Sequence, residues 1–543
     1  MNELGKNGNR NWRRAMLAPL LCLALATAAA AQNRPIATAD DGKTTTQFSR
    51  HITPQQAQKL FSLVDELIKF SSQETGLPIK SEVKRQLTTR EAVESYIQQK
   101  FNEDEGAKRL QRDEIILKKF GMLDRDFELK PFLLALLKEQ IEAYYDSKTK
   151  TVNLLDWVDP EEQKPVMAHE LTHALQDQHA DLEKWDNQTP NDVSTDAASD
   201  RDHLVRDEMD TARDSVAEGQ ATAVMMDYIL KPLGKSLVKD PEVIDVIRGQ
   251  MESSGDAPVM ARAPLLLSES MLFPYREGLS FEQDVWMDQG REAAFTGALD
   301  HPPTSSWEIL NPREYEHKHS PSVPLMPDIH PLVDPLYKPY DIGQIGQLDV
   351  HILTQLLGGQ NSARDLTPAW GGGLYWAGQL RSATAAEQAS TKSLGLFYLS
   401  IWKSPDSAET FAKLYARNLG RKYSSVHRDT TASPDAGEQL FTTSEGPVLI
   451  VTRGNMVFVA ESFALPLARQ LAALLLSAQS SGEQRQAIAP ANSTMPGTAL
   501  FATREDTAAA VQGSTLSAGL VHFFTECGVM KAAVDAGIAA EEK

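Results

Sequence analysis

The sequence predicts an α+β protein in which a mainly helical domain with a small β-hairpin is followed by a smaller α+β domain. Apolar residues recur at helical spacing along the N-terminal third of the chain, whereas the clearest strand-like runs lie further on. Six prolines between Pro321 and Pro339 separate the two patterns and favour extended chain over helix. We therefore expect domains over residues 51–320 and 341–476, joined by a Pro-rich linker over 321–340.

The composition is that of an ordinary soluble globular protein. The 543 residues are 41% hydrophobic and 24% charged, and 54 Lys and Arg stand against 74 Asp and Glu, which gives a net charge of −20. No long basic stretch occurs beyond the extreme N-terminus, so the sequence argues against nucleic acid as a partner. Beyond residue 477 the chain is rich in Ser, Gln and Ala, and we expect a disordered tail over 477–543, with a weak helix at its end as an alternative.

The N-terminus has the features of a secretory signal peptide over residues 1–31. Basic residues precede a short apolar run, and the alanines at 29–31 offer a cleavage site. The run is too short and too rich in alanine to favour a retained membrane helix. We expect an exported protein, periplasmic or extracellular, with a flexible leader over 32–50 and no stable membrane anchor after cleavage. Cleavage removes Cys22 and leaves Cys527, so no intramolecular disulfide is expected.

The first domain is predicted to open with a helix. Thr53 can cap it, Pro54 suits its first position, and Gln56 can complete a capping box. Further on, a polar turn between two β-prone runs predicts a β-hairpin over 143–155. This hairpin is the small β element of the otherwise helical domain.

Two more helices are predicted in the first domain, separated by a loop. The first runs from residue 159 to about 182, a polar and acidic loop covers 186–205, and the second helix covers 206–230. In the second domain the predicted elements are a strand over 394–402, a helix over 407–418 and a hairpin with the turn Arg453-Gly454-Asn455.

A His-Glu-x-x-His pattern in the helix predicted over 159–182 carries the strongest chemical signal. His169 and His173 are four positions apart, so both imidazoles face the same side of a helix and can reach one metal ion. Glu170 lies beside His169 and can act as general base toward a zinc-bound water. The pattern predicts Zn²⁺ as cofactor and hydrolysis as the chemistry.

A catalytic zinc site needs a third protein ligand and an open position for water, and the sequence offers two candidates. Glu218 lies on the helix predicted over 206–230, which a loop can bring antiparallel to the first. His179 would complete a His-Glu-x-x-His-x-x-Gly-x-x-His pattern, but Gln176 stands where that pattern needs a glycine to turn the chain. On a continuous helix, His179 points about 120° away from His173. We prefer Glu218 and keep His179 as the alternative.

With these residues the chain resembles the gluzincin class of zinc metallopeptidases. It is more closely similar to a poorly characterised family of bacterial metallopeptidase-like proteins. The resemblance implies a gluzincin-like zinc domain, a peptide or protein substrate, and a hairpin whose edge strand pairs with an extended peptide beside the zinc. The stretches that carry the likeness are 144–146, 169–179, 218–222, 273–278 and 302–312.

A function of another class is an envelope scaffold or binding protein that keeps the fold, with or without the metal, and has no turnover. The complete set of His169, Glu170, His173 and Glu218 argues against this alternative, since loss of catalysis often leaves a gap in such a set.

Asp177 follows His173 by four positions and could orient its imidazole, although an exposed acid on the helix surface is an equal alternative.

Other polar residues are weaker candidates. Tyr275, His301 and Tyr315 could stabilise an oxyanion, but packing roles are favoured for all three. His317 and His319 form a His-x-His pattern that can bind metal weakly, and we expect them to belong to the solvated Pro-rich segment instead.

Overall fold

A computed structural model describes residues 52–103, 105–161, 163–186, 188, 196–252, 257–430, 437–480, 516–525 and 531–541. The predicted signal peptide and leader lie outside these residues. The α-helices are Pro54–Thr75 (α1), Arg90–Glu103 (α2), Glu105–Phe120 (α3), Leu129–Gln140 (α4), Gln163–Ala180 (α5), Leu182–Asp186 (α6), Ala197–Arg206 (α7), Met209–Leu230 (α8), Val243–Met251 (α9), Leu265–Gln289 (α10), Ala298–Asp300 (α11), Ser306–Leu310 (α12), Pro312–Glu316 (α13), His330–Val333 (α14), Gln347–Leu366 (α15), Ala385–Gln388 (α16), Pro405–Arg417 (α17), Leu465–Ser480 (α18), Ala518–Thr525 (α19) and Lys531–Glu541 (α20).

Ten β-strands accompany the helices. They are Lys84–Thr88 (β1), Ala143–Asp146 (β2), Thr151–Leu155 (β3), Tyr337–Gln344 (β4), Trp370–Leu380 (β5), Leu394–Trp402 (β6), Val426–Asp429 (β7), Glu438–Thr443 (β8), Gly446–Arg453 (β9) and Met456–Glu461 (β10). This mixture of helices and two sheets confirms the predicted α+β class. None of the described helices is long and apolar enough to cross a bilayer.

The first helix begins as its sequence predicts. The Gln56 N–H donates to Thr53 Oγ1 at 3.3 Å, and the Thr53 N–H donates to Gln56 Oε1 at 3.0 Å. This reciprocal capping box satisfies backbone donors that the first turn leaves unpaired. Gly76 ends α1 with a φ of 79°, a conformation that glycine adopts without steric cost.

The small sheet has the order β1-β3-β2. Antiparallel pairing of β2 with β3 confirms the predicted hairpin. Parallel pairing of β1 with β3 was not predicted. The sequence of β1, Lys-Arg-Gln-Leu-Thr, lacks the apolar pattern of a strand, and Thr88 is its one buried residue.

The large sheet has seven strands in the order β4-β5-β6-β10-β9-β8-β7, and every neighbouring pair is antiparallel. Its strands β6, β9 and β10 confirm the strand and hairpin predicted in the second domain. Helix α17 likewise confirms the helix predicted over 407–418 within two residues at its start.

The central strands of the large sheet are buried on both faces. On one face, the Tyr398 ring contacts Phe411 of α17, with ring centroids 5.9 Å apart. On the other face, Phe397 packs with Phe458 and Phe463 in the core that also contains Leu471 of α18. Burial of both faces explains why these strands read as nearly continuous apolar runs.

The helical part and the large sheet share one hydrophobic core. Phe120, at the end of α3, contacts the rings of Tyr375 and Tyr398 at centroid distances of 5.4 and 6.1 Å. Beside it, Lys119 Nζ donates to Glu445 Oε2 at 2.9 Å and to Ser462 Oγ at 2.7 Å. The end of α3 is therefore fixed on the sheet by both apolar and charged contacts.

A second buried lysine completes this charged junction. Lys422 Nζ lies 2.6 Å from Glu461 Oε1 and 2.8 Å from the Tyr415 hydroxyl, and it also donates to the Lys119 carbonyl. The Tyr415 and Tyr423 hydroxyls both donate to Glu461. Burial lowers the pKa of Lys422 to about 8, against the attraction of Glu461.

Three segments expected to lack regular structure contain packed elements. Asp196 caps α7 inside the predicted loop. The segment predicted as a linker contains α14 and contributes buried Ile329 and Val333 to the core under α18. In the predicted tail, residues 481–515 and 526–530 lie outside the described residues, whereas α19 buries Leu520 and Phe524 and α20 buries Val534. Disorder is wrong for these packed residues, and a helix at the end of the tail was the alternative that the composition left open. The apolar surfaces that receive them come from distant helices, which local composition does not reveal.

Glu461→Gln should destabilise the protein by about 3 kcal/mol at pH 7, because it leaves the Lys422 charge buried without its counterion. A lysine that is charged when unfolded and neutral when folded makes stability rise with pH. As the pH rises toward the Lys422 pKa of about 8, the stability deficit of the variant relative to the wild type should therefore shrink by up to about 1.4 kcal/mol per pH unit. Urea unfolding at pH 6.5, 7.25 and 8 measures both effects.

The control for this substitution is Glu409→Gln. Glu409 pairs with Lys413 on the surface, where the two side chains are 60% and 54% exposed. Loss of that pair should change stability by less than about 1 kcal/mol at every pH. Equal effects of the two substitutions would show that the buried lysine does not depend on Glu461.

Candidate metal centre

Helix α5 carries the predicted histidines and is anchored to the small sheet at its start. The Gln163 side-chain amide donates to the carbonyls of Leu155 and Val158, and its oxygen accepts the Leu155 N–H. The helix then continues without a break to Ala180. Because no turn interrupts it, His169 and His173 lie one turn apart on the same side.

Helix α8 carries Glu218 and is buried along almost its whole length. It crosses α10 at two glycines, where the backbones are in direct contact. A Cβ added to Gly219 would lie 2.3 Å from the Gly278 carbonyl oxygen, and one added to Gly278 would lie 2.1 Å from the Ser215 carbonyl oxygen. No residue larger than glycine fits this crossing, which sets the position of α8 and therefore of Glu218.

The two helices bring three ligand atoms together. His169 Nε2 lies 3.0 Å from His173 Nε2 and 3.0 Å from Glu218 Oε2, and His173 Nε2 lies 3.5 Å from the same oxygen. All three side chains are largely buried, and His173 keeps the greatest exposure at 12%. The residues predicted from sequence as zinc ligands therefore form one group.

The chemistry and spacing of this triangle fit a zinc ion. Tetrahedral zinc with ligands at about 2.0 to 2.1 Å requires ligand atoms about 3.3 Å apart, close to the three distances above. Two neutral imidazoles and one carboxylate are ordinary zinc ligands, and they would leave a net charge of +1 at the metal. The residues present therefore satisfy the requirements of the ion that the sequence predicts.

Electrostatics at the triangle also favour one positive charge. Burial lowers the pKa of His169. Burial also opposes charge on His173, but Glu218 outweighs it and raises the pKa of His173 to about 9. Burial acts to raise the pKa of Glu218, but His173 and hydrogen bonds to the imidazoles lower it to about 2. Because both imidazoles cannot be charged at 3.0 Å separation, the group holds one proton in the place that a cation would take.

Gln176 orients His173 and was missed as a functional residue. Its Oε1 lies 2.8 Å from His173 Nδ1, so Nδ1 carries the proton in that bond and Nε2 is left to bind metal. Its Nε2 donates to the Ala217 carbonyl at 3.0 Å and to Gln220 Oε1 at 2.9 Å. Gln220 in turn donates to the carbonyls of Ala294 and Phe295. A buried chain of amides thus joins α5, α8 and the segment after α10.

The general base candidate lies beside this triangle. Glu170 is fully buried, and its charge is close enough to His173 to contribute to the raised pKa of that imidazole. The Tyr275 ring stacks on His169, with ring centroids 6.2 Å apart and an interplanar angle of 23°. The structure thus brings Glu170, His169, His173 and Glu218 together.

Other candidates lie elsewhere. His179 Nε2 is 2.9 Å from Asp300 Oδ1 and does not belong to the ligand group that the described residues form. Asp177 does not orient His173, because it accepts hydrogen bonds from the Tyr145 hydroxyl and from Lys150 Nζ. The continuous helix explains the position of His179, which is rotated about 120° from His173. Asp177 lies one turn beyond His173, but its carboxylate is engaged by Tyr145 and Lys150.

Of the remaining oxyanion candidates, His301 is exposed and Tyr315 has a packing role. The Tyr315 hydroxyl donates to the His301 carbonyl at 2.8 Å, and its ring contacts Phe281 of α10 at a centroid distance of 5.0 Å.

Two residues of the site, Gln176 and Gln220, were not predicted from the sequence. Gln176 follows His173 by three positions, and Gln220 follows Glu218 by two. The signal available in the sequence was a glutamine about one helical turn beyond His173.

Comparison of the chain with protein-family models, with curated proteins and with solved structures found no match.

Gln176→Leu should weaken zinc binding by about 10- to 100-fold, because His173 loses the acceptor that fixes its ring and tautomer. Competition with a chromogenic chelator measures the affinity. Gln178→Leu, two positions further along α5, is the control and should leave the affinity unchanged, since Gln178 bonds to the segment at Lys80 and Ser81. Equal zinc affinity in the Gln176 variant and the wild type would contradict the orienting role.

Gly278→Ala should destabilise the protein by about 3 kcal/mol and reduce zinc affinity, because the new Cβ forces α10 away from α8. Chemical unfolding and chelator competition on the same sample test both parts. The control is Gly249→Ala in α9, where an added Cβ meets no atom within 4 Å. That variant should be as stable as the wild type or up to about 1 kcal/mol more stable. Similar stability of both variants would show that the crossing tolerates a side chain.

Proposed function

We propose that this protein is a zinc-dependent metallopeptidase of gluzincin type that hydrolyses peptide bonds in peptide or protein substrates. The observation that carries the proposal is the triangle of His169, His173 and Glu218 with Glu170 on the same turn of α5. Two histidines and one acid leave one coordination position of a tetrahedral ion for water, as catalytic zinc sites require. The resemblance of the motifs to gluzincins is consistent with this arrangement.

The roles of the side chains follow from their positions. Zinc, when bound, would supply a Lewis acid that acidifies water and polarises the scissile carbonyl. The Glu170 carboxylate would accept the proton of the attacking water and pass it to the leaving amine. Gln176 would keep the His173 imidazole in the tautomer whose Nε2 binds metal.

The hairpin offers a surface for an extended peptide. Strand β2 forms one edge of the small sheet and packs against α5, where the Tyr145 hydroxyl donates to Asp177 at 2.7 Å. An extended substrate could add to this edge by main-chain hydrogen bonds, which recognise a peptide without a fixed sequence. Such docking would run the substrate beside the helix that carries the histidines.

The N-terminal pattern supports a location outside the cytoplasm. A signal peptide over 1–31 would deliver the mature chain to the periplasm or the exterior, where peptides and unfolded proteins are available as substrates.

One observation favours a second candidate function, that of a metal-binding scaffold without turnover. Glu170 is fully buried and the three ligands are at most 12% exposed, as in structural metal sites that are closed to solvent.

Glu170→Gln separates the two functions. It removes the base and leaves every ligand, so the variant should bind one zinc per chain yet lose hydrolysis of fluorescent casein by at least about a hundredfold. Glu218→Ala should lose both hydrolysis and zinc affinity, because it removes a ligand. The surface variant Glu66→Gln is the control and should keep both properties. Hydrolysis retained by Glu170→Gln would exclude the proposed mechanism, and a wild type that binds zinc without hydrolysis would favour the scaffold.

A further inference from the structure

A second group of metal-ligating side chains lies on the surface at the end of α13. Glu314, His317 and His319 each offer one ligand atom, and these atoms lie within 4.8 Å of one another. His319 Nδ1 is 2.8 Å from Glu314 Oε2, and the two histidine rings are 5.9 Å apart. The side chains of His319 and Glu314 are 64% and 43% exposed, so an ion in solvent can reach them.

The backbone brings these three residues together through a specific helix ending. The His319 N–H donates to the Glu314 carbonyl, and the Lys318 N–H donates to the Tyr315 carbonyl. This is the hydrogen-bond pattern of a Schellman motif, in which the residue after the helix cap adopts the left-handed conformation. Here that residue is Lys318, with a φ of 58°.

The side chains at this ending depart from the usual ones. A Schellman motif commonly has glycine in the left-handed position and an apolar contact between the third residue from the helix end and the second residue beyond its cap. In this protein Lys318 occupies the glycine position, and the apolar pair is replaced by Glu314 and His319. The turn thus holds metal ligands where packing normally stabilises it.

Helix α13, which precedes the turn, is anchored to the body of the protein. The Tyr315 ring contacts Phe281 of α10, and its hydroxyl donates to the His301 carbonyl. At the start of α13, the Asn311 side chain donates to Trp307 and Gln347. These contacts hold α13 at its start and near its end, which restricts the turn that follows, so the ligands lose little freedom when they bind an ion.

We propose that Glu314, His317 and His319 form a second metal site, which binds a divalent transition-metal ion such as Zn²⁺ at the protein surface. Imidazole and carboxylate ligands suit Zn²⁺, Ni²⁺ and Cu²⁺, and solvent would complete the coordination. The site is independent of the triangle between α5 and α8, since it shares no residue with it. Its exposure makes it the weaker of the two sites, because neither burial nor a surrounding hydrogen-bond network strengthens it.

Zinc binding by the full chain at a series of buffered free Zn²⁺ concentrations tests the proposal. Equilibrium dialysis with elemental analysis should show a second equivalent in the wild type. His319→Ala should lose that equivalent and keep the first, whereas Glu218→Ala should keep the weaker equivalent. The control His427→Ala removes another exposed histidine, on β7, and should change nothing. Identical zinc binding by His319→Ala and the wild type would overturn the second site.

Two substitutions at Lys318 test the geometry without changing a ligand. Lys318→Gly and Lys318→Val remove the same charge, but glycine adopts the left-handed conformation freely and a β-branched residue does not. The glycine variant should bind the second zinc as the wild type does, and the valine variant should bind it about tenfold more weakly or worse. Equal affinity in the two variants would show that the turn does not assemble the site.

These outcomes also distinguish the second site from the proposed peptidase. A wild type that binds one zinc, lost in His319→Ala and retained in Glu218→Ala, would uphold the surface site and exclude the buried one. A single zinc lost in Glu218→Ala and retained in His319→Ala would have the opposite meaning. The unfolding midpoints of His319→Ala and His427→Ala should match the wild type within experimental error, since both positions are exposed.

Discussion

The backbone contact between α8 and α10 determines where the three buried candidate metal ligands can meet. Gly219 and Gly278 allow the two helices to approach until backbone atoms touch. Glu218 precedes one of these glycines, so the crossing sets both the depth of its carboxylate and its direction toward α5. A wider crossing would shift the carboxylate away from two imidazoles whose positions depend on a different helix.

The close approach also explains the polar residues buried around it. Helices that touch without large side chains between them leave no room for water, so each buried polar group needs a partner in the protein. Gln176 and Gln220 supply partners for His173 and for one another across the α5–α8 contact. The same requirement appears at the junction with the large sheet, where Lys422 and Glu461 are buried together.

The two candidate metal sites illustrate two ways to assemble ligands. The buried triangle joins residues separated by 49 positions, so it exists only when α5 and α8 are packed. The surface group lies within six consecutive residues, and its geometry depends on one helix ending. The first is coupled to the stability of the whole core, whereas the second is coupled only to a local turn. This difference agrees with the burial of one group and the exposure of the other.

Elements that depend on neighbouring residues could be predicted before the fold was known. The capping box at Thr53, the hairpin β2–β3 and the shared face of His169 and His173 follow from local spacing and turn chemistry. Gln176, which stands where a turn would need glycine, also predicted that α5 continues past His173. A continuous helix favours Glu218 over His179 as the third ligand. The parallel strand β1 and the packing of the C-terminal helices had no such local signal.

Tertiary structure alone decided the remaining features, because they depend on surfaces that are distant in sequence. The bond from Gln176 to Gln220, the role of Gly278 and the pairing of His179 with Asp300 each require knowledge of which helices meet. Burial likewise depends on the whole fold, since a polar helix such as α7 is fixed by the groups packed on it and not by its own periodicity. Local spacing can therefore place two ligands on a helix, but only packing brings the third to them.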